Sequence, residues 1–201
     1  MNILRELRPA LSLVVLFTIL TGFLLPVAFT GAMQLALPAQ ANGSLITQNG
    51  QIIGSAIIGQ NFTAPKYFQP RPSALSGTDA KGNTIPTPYD ASESGASNLA
   101  PSSAALLTAV QQRIAAYTKS FGPGPVPADA ATSSGSGLDP DISLPNALRQ
   151  APAIAAARHL PTATITNLIT QMTHHSTLGI IGTTHLNVLQ LNLALDQLPA
   201  P

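Results

Sequence analysis

Apolar side chains follow one another almost without a break from Ala10 to Ala32 (ALSLVVLFTILTGFLLPVAFTGA), and no charged residue occurs from Pro9 until Lys66. A helix rising about 1.5 Å per residue crosses a hydrocarbon core of about 30 Å in roughly 20 residues, so the stretch predicts a single transmembrane helix. Pro26 is acceptable inside such a span because packed neighbours satisfy the carbonyl it frees, and a partner helix is expected beside the kink. Arg5 and Arg8 precede the span, and nothing basic follows it before Lys66. The positive-inside rule therefore expects a cytoplasmic N-terminus at residues 1–9, a span over residues 10–32 and an extracytoplasmic domain over residues 33–201. Ala39-Gln40-Ala41 has the small residues of a signal-peptide cleavage site. The apolar run is longer than the roughly 7–15 residues of a signal-peptide core, which favours an uncleaved anchor.

Beyond the span the period changes. Ser44 to Gln60 (SLITQNGQIIGSAIIGQ) places β-branched residues on both sides of Asn49-Gly50, the pair preferred in a tight type I′ turn whose central residues both take positive φ. A β-hairpin is expected there. From Phe62 to Pro101 the chain is rich in Gly, Pro, Ser, Thr and Asn without a sustained period, and Tyr67, Phe68 and Tyr89 stand as isolated aromatics. This reads as a long ordered loop region, of a kind retained where it binds something. Leu106, Leu107, Val110, Ile114, Tyr117 and Phe121 recur at spacings of three and four between Pro101 and Gly122-Pro123, the mark of an amphipathic helix.

A second loop, Val126 to Asp141, precedes Ser143, which can cap the next helix, and Pro152 is expected to divide that segment into two short helices. Thr162 is placed to cap a helix with Ile165, Leu168, Ile169 and Met172 on its core face, stopping near Gly179. The final run, Asn187 to Leu198 (NVLQLNLALDQL), alternates like a strand, yet its Leu, Ala and Gln content and the Asn187 cap favour a helix. No internal repeat or heptad interrupts this pattern. The predicted fold is α+β: one N-terminal transmembrane helix followed by a single compact extracytoplasmic domain with a β-hairpin and several helices.

Composition narrows the function. The 201 residues leave room for one real core plus a small extra element. Charged residues make up 8% of the chain and the formal net charge is +1, against roughly 25% charged residues in ordinary soluble proteins. No block of Lys or Arg could neutralise several phosphates, so nucleic acid is not an expected partner. Cysteine is absent, which excludes disulfides, thiolate metal sites, a cysteine nucleophile and a lipid-modified cysteine anchor. The low charge would suit a compartment exposed to acid, where carboxylates lose their partners; unfolding midpoints that fall sharply between neutral and mildly acidic pH would count against this.

Motifs that carry chemistry are missing. No G-x-x-x-x-G-K-[ST] occurs, Gly77 to Thr84 having Asn83 where the lysine belongs. Gly135-Ser136-Gly137 lacks the third glycine of a dinucleotide loop and reads as a turn. Neither H-E-x-x-H nor G-x-S-x-G is present, and His159, His174, His175 and His185 have no acidic neighbours at ligand or triad spacing. Adjacent His174 and His175 cannot share one helix face and read as a polar helix end in a favourable dipole. Asp139 and Asp141 are explained by an ordinary turn and a helix start. No catalytic residue, bound cofactor or metal ligand is expected.

In chain order the loops carry Gly54-Ser55 with Ile58-Gly59-Gln60, then Tyr67-Phe68 with Arg71-Pro72-Ser73-Ala74, then Ser94-Gly95-Ala96-Ser97-Asn98-Leu99. Val126-Pro127-Ala128-Asp129 follows, then Ser134 to Pro140 with Ile142-Ser143, and last Leu178-Gly179 and Asn187 to Asp196. In this order, behind one N-terminal span, they resemble the C subunit of the Kdp-type potassium-transporting P-type ATPase from end to end. The resemblance implies a bacterial inner-membrane complex that imports potassium at the expense of ATP. A channel-like subunit would select K⁺, a P-type ATPase subunit would hydrolyse ATP, and a small single-span subunit would accompany them. This subunit, held in membrane lipid by one span, would support assembly and activity without catalysis of its own. Potassium selectivity is not expected here, because a selectivity filter uses rings of backbone carbonyls within the membrane.

The resembling family is also described as a catalytic chaperone that raises the ATP affinity of the pump subunit, through a Ser-Gly-Gly-Ser-like loop compared to a nucleotide-binding signature. Here Ser94, Gly95, Ser97 and Asn98 occupy that loop. If Arg5 and Arg8 are cytoplasmic, the loop lies across the membrane from ATP, and any effect must come from different interactions with two pump conformations. The expected docking residues are Tyr67, Arg71, Ser73, Asn98, Leu99, Gly135, Gly137 and Asp139, in loops 67–74, 94–99 and 134–140 that would cap the outer entrance of the channel subunit. Internal scaffolding by turns and caps is the competing role for these loops. Two departures from the family pattern stand out. Ala96 and Ala100 replace glycines and would be strained if their backbone needed positive φ. Charged positions around Leu178-Gly179 have become His174, His175, Ser176, Thr183, Thr184 and His185, so side-chain charge there is dispensable in this chain.

Overall fold

The N-terminal apolar run is helical throughout. The structure, a computed structural model, describes residues 3–199. Helix α1 (Ile3–Ile19) passes through one π turn (Leu20–Leu24) directly into α2 (Leu25–Ala36). The π turn sits just before Pro26, whose nitrogen has no proton and whose ring crowds the carbonyl four residues back. Widening the turn accommodates it: the Leu25 N–H donates to Leu20 O, five residues back. From Arg5 to Ala36 the helix is long and apolar enough to cross a membrane. A short helix, α3 (Pro38–Ala41), follows.

The chain divides into two compact units, Met1–Ile52 and Ile53–Pro201. Strands β1 (Leu45–Gln48) and β2 (Gln51–Ser55) pair as the expected hairpin. Asn49 and Gly50 both have positive φ, 51° and 78°, as a type I′ turn requires.

In the second unit the core gathers around three helices and a short strand pair. Helix α4 (Ala104–Phe121) begins at Ser103, whose hydroxyl accepts from Leu106 N, and ends at Gly122. After the short α5 (Ala128–Ala131), strand β5 (Asp141–Ser143) leads into α6 (Leu144–Arg158), capped by Ser143 as expected. Helix α7 (Thr162–Met172), strand β6 (His185–Asn187) and helix α8 (Val188–Asp196) complete the unit. Ile142, Ala147, Ala151, Ile154, Ile165, Ile169, Leu186, Leu191 and Leu195 form one buried cluster with Phe68. The alanines on α6 let α7 approach closely, so its leucine and isoleucines fill the gap between helices.

Several boundaries differ from the sequence reading, each for a physical reason. Pro152 does not split α6, which is a single helix. The ring lies on the exposed side, where water can solvate the Leu148 carbonyl, while Ala147, Ala151, Ile154 and Ala155 anchor the opposite face. Thr162 is the first helical residue of α7; the preceding Pro161 is the cap position, and no side-chain cap bond forms. The helix ends at Met172, well before Gly179, and His174 and His175 lie beyond it in extended chain. His159 ends α6 in the left-handed conformation.

Two strand pairs escaped the sequence reading. Within the region expected to be loop, β3 (Ser76–Thr78) and β4 (Thr84–Pro86) form an antiparallel hairpin. Its turn is organised by Asp79, whose Oδ1 accepts from Lys81 N and Asn83 N, both at 2.8 Å. Strands β5 and β6 pair antiparallel with Ile142 opposite Leu186. Asn187 ends β6 and caps α8 through a bond from Gln190 N, so strand and helix share one short segment.

Candidate docking site

The loops singled out in the sequence are knitted together inside the second unit. The Arg71 Nη1 group donates to Asp139 Oδ2 at 2.6 Å, with both side chains half-buried. Asp139 Oδ1 accepts from Asp141 N at 3.0 Å, the turn geometry expected of that pair. The Tyr89 hydroxyl donates to Arg71 O at 2.8 Å. Burial first, then the Asp139 carboxylate, raises the Tyr89 phenol above its ordinary range, with Arg71 opposing. Ser73 Oγ accepts from Leu75 N and Tyr89 N.

The 94–99 loop is tied to the 134–140 loop through Ser136, whose carbonyl accepts from Gly95 N at 2.9 Å and Ser94 Oγ at 3.4 Å. Gly137 sits beneath them at φ 71°, and a Cβ there would lie 2.6 Å from Leu75 Cγ and 3.1 Å from Gly95 O. Only glycine fits such a position. Gly135 is different: a Cβ there would meet nothing within 4 Å. Ala96 and Ala100 do not adopt positive φ, so replacing glycine at those sites carries no backbone strain.

Arg71, Ser73, Ser94, Gly95, Gly137 and Asp139 are thus brought into one cluster. Tyr67 is held elsewhere in the unit. Its hydroxyl donates to Asp196 Oδ2 at 2.8 Å, and Arg158, paired with Asp196 at 2.6 Å, lies over its ring. Burial alone would raise the Asp196 carboxyl, but bonds from Arg158 and Tyr67 outweigh it and hold the group below its ordinary value. Ser97, Asn98 and Leu99 are exposed, Asn98 with φ 51°.

Residues that sequence reasoning missed hold the 67–74 loop in place. Asn192 on α8 brackets Phe68, accepting from its N–H at 2.8 Å and donating to its carbonyl at 3.0 Å. Gln150 on α6 does the same for Gln69, at 2.8 and 3.1 Å. Gln150 also donates to Asn146 Oδ1, which accepts the Tyr117 hydroxyl as well, while Asn146 Nδ2 donates to Asp129. The available signal was a polar residue at i and i+4 on an otherwise apolar helix face, and one asparagine in the leucine run of α8. The chemistry of this network is shape-holding: its donors and acceptors are matched within the chain. Among the described residues no cluster of three or more His, Asp or Glu side chains could hold a metal ion.

Comparison with known proteins extends this picture to the whole chain. Residues 7–197 match the family described as KdpC, the K⁺-transporting ATPase c chain. A potassium-transporting ATPase KdpC subunit of Methylobacterium nodulans is 47% identical over 197 residues, 97% of this chain and 98% of that protein. The corresponding subunit of Gemmatimonas aurantiaca is 47% identical over 98% of this chain and 95% of its own length. That of Mycobacterium bovis is 49% identical over 96% and 99%. End-to-end similarity of this depth is what the ordered loop pieces implied, and the chain belongs to the KdpC family of potassium-transporting ATPase subunits.

Proposed function

We propose that the chain is a non-catalytic accessory subunit of an ATP-driven potassium import complex. Its residues 10–32 cross the inner membrane, residues 1–9 stay in the cytoplasm, and the domain from residue 33 onward lies outside. The domain caps the outer entrance of a channel-like subunit, and the helix packs against the spans of that subunit, of the P-type ATPase subunit and of a small single-span subunit. ATP and K⁺ are handled by the complex.

The observation that carries this reading is the pairing of a charge-free apolar run, preceded by Arg5 and Arg8, with loops tied to one another by the Arg71–Asp139 ion pair and the Gly95–Ser136 backbone bond. A surface held in shape in this way suits recognition by a fixed partner. Ser97, Asn98, Leu99 and Gly135 are the exposed contact candidates, framed by Tyr67, Arg71, Ser73, Gly137 and Asp139. Direct ATP binding by Ser94, Gly95, Ser97 and Asn98 is disfavoured, because a phosphate cradle needs free backbone donors and Gly95 N is bonded to Ser136 O.

A single cysteine at Ser97, in a chain that has none, tests both readings. Ser97 is exposed, so an impermeant thiol reagent should label it in cells with an opened outer membrane. Labelling from outside is expected and excludes nucleotide contact by this loop. Protection until the inner membrane is broken would place the domain in the cytoplasm and restore the ATP-chaperone reading.

A further inference from the structure

Between α7 and β6 the chain leaves the core and returns as a narrow β-finger. Its stalk is a ladder: His174 and His185 exchange both backbone hydrogen bonds, at 2.9 and 3.0 Å, and Thr177 and Ile181 exchange theirs at 2.8 and 3.0 Å. The His174 and His185 rings stack with centroids 5.4 Å apart. His185 also pairs with Ser143 of β5, so the stalk continues a strand pair whose next residues, Ile142 and Leu186, are fully buried. The finger is therefore rooted in the core.

Its tip is apolar and bare. Leu178 is 85% exposed, Ile180 82% and Ile181 63%. Leu178 also holds φ 56°, a left-handed conformation that a leucine adopts at a cost in backbone strain. Strain combined with three adjacent, unburied aliphatic side chains marks a surface kept for something other than the stability of this chain.

The geometry points to a socket on another protein subunit of the same membrane complex, apolar and uncharged, into which Leu178, Ile180 and Ile181 insert; this rests on the accessory-subunit reading above. Three observations select that occupant. From His159 to Leu195 there is no Lys, Arg, Asp, Glu, Trp, Tyr or Phe, whereas contacts with a lipid surface use basic residues against anionic headgroups and aromatic side chains at the interface. The collar of the tip is made of hydroxyls, Ser176, Thr177, Thr183 and Thr184, which match a polar rim around an apolar pocket. Three aliphatic side chains cover on the order of a few hundred Å², far below the roughly 1,200–2,000 Å² buried by freely diffusing partners. Such a contact is productive only when another element supplies effective concentration, as a shared membrane anchor does. A second copy of this chain would bury equally little and is disfavoured on the same ground.

The test uses the assembled complex in membranes, with a photo-crosslinking amino acid at Ile180. A covalent product with one other subunit is expected, and it should be lost, at least about tenfold, when Leu178→Ser is added. Crosslinking to lipid alone, to a second copy or to nothing would overturn the proposal. In parallel, Leu178→Ser with Ile181→Ser should reduce retention of this subunit on the detergent-purified complex about tenfold while leaving its unfolding midpoint unchanged, since neither side chain is in the core. Full retention would also overturn it. Failure of the wild-type chain to co-purify with any pump subunit would sink the accessory reading itself, which separates the two failures.

Discussion

Asn192 carries more of the loop architecture than its surroundings suggest. Buried at 2% exposure among leucines, it satisfies both backbone groups of Phe68, which is itself fully buried. Replacing it with leucine would keep the volume and strand one N–H and one C=O away from water. Each such orphan costs about 1–3 kcal/mol. Asn192→Leu is expected to lower unfolding free energy by about 2–6 kcal/mol, read from the denaturant midpoint at constant slope. A change below about 1 kcal/mol would mean that water reaches Phe68.

Two carboxylates predict opposite pH behaviour. Burial raises the half-buried Asp141 above its ordinary value, with Asp139 adding to the shift and His185 and His174 opposing it. A raised folded-state value gives stability that is complete below the unfolded value and lost as pH rises through the folded one. Asp141→Asn should therefore gain stability on the wild type as pH climbs from the ordinary carboxylate range to neutrality. Asp196 is depressed, so its contribution is present above the unfolded value and lost as pH falls through the folded one. Asp196→Asn should cost stability at neutral pH, and the deficit should close in acid. Thermal midpoints of both variants from about pH 3 to 7 check the signs, the range being set by the ordinary carboxylate value of about 4.

At the level of elements, Pro152 makes a direct test of why α6 stays whole. The proline removes one donor and crowds the preceding turn, a cost of about 3 kcal/mol in a helix interior. Here the face that packs on α7 holds the helix together and the exposed carbonyl turns to solvent. Pro152→Ala restores the hydrogen bond without touching the core and is expected to stabilise the domain by about 1–3 kcal/mol in equilibrium unfolding. Destabilisation would show that the backbone constraint imposed by Pro152 sets the fit of α6 against its neighbours.

The same element shows what the sequence could and could not tell. Long periodic segments were legible: the N-terminal helix, α4, the core face of α7 and the Asn187 cap of α8 all follow from spacing and capping chemistry. Proline was over-weighted because burial on one face, invisible in a single sequence, overrode a local penalty. Strands β3 to β6 are each three residues long, too short for a period of two to register. Of the candidate site, the ordered loop pieces were recognisable, but the clamps from Gln150 and Asn192 reach residues 81 and 124 positions away in the chain. Such pairings have no local signature. Leu178-Gly179 reads in the sequence as a helix stop and as one of the ordered loop pieces, and neither reading gives its exposure, which is the more informative property.

For the whole molecule, the division at Ile52/Ile53 separates two kinds of stability. The helix from Arg5 to Ala36 contributes no buried residue and has the composition of a segment solvated by lipid. Every buried residue described, from Ser55 onward, lies in the second unit, together with every salt bridge described. A domain of this size with its own core is expected to hold about 5–15 kcal/mol of folding free energy unaided. A chain beginning at Asn42, which keeps the β1–β2 hairpin and drops the helix, should therefore unfold in one cooperative transition. Its thermal midpoint should lie within a few degrees of that shown by the same domain in the detergent-solubilised full chain, where a shift of about 2–4 °C corresponds to roughly 1 kcal/mol. Circular dichroism in the far and near ultraviolet would follow both, with Tyr117, buried against Asn146, reporting tertiary packing. Loss of the cooperative transition on removing the helix would mean that the anchor helps to fold the domain as well as to place it. An unchanged transition would leave the helix with membrane attachment and subunit contact as its work.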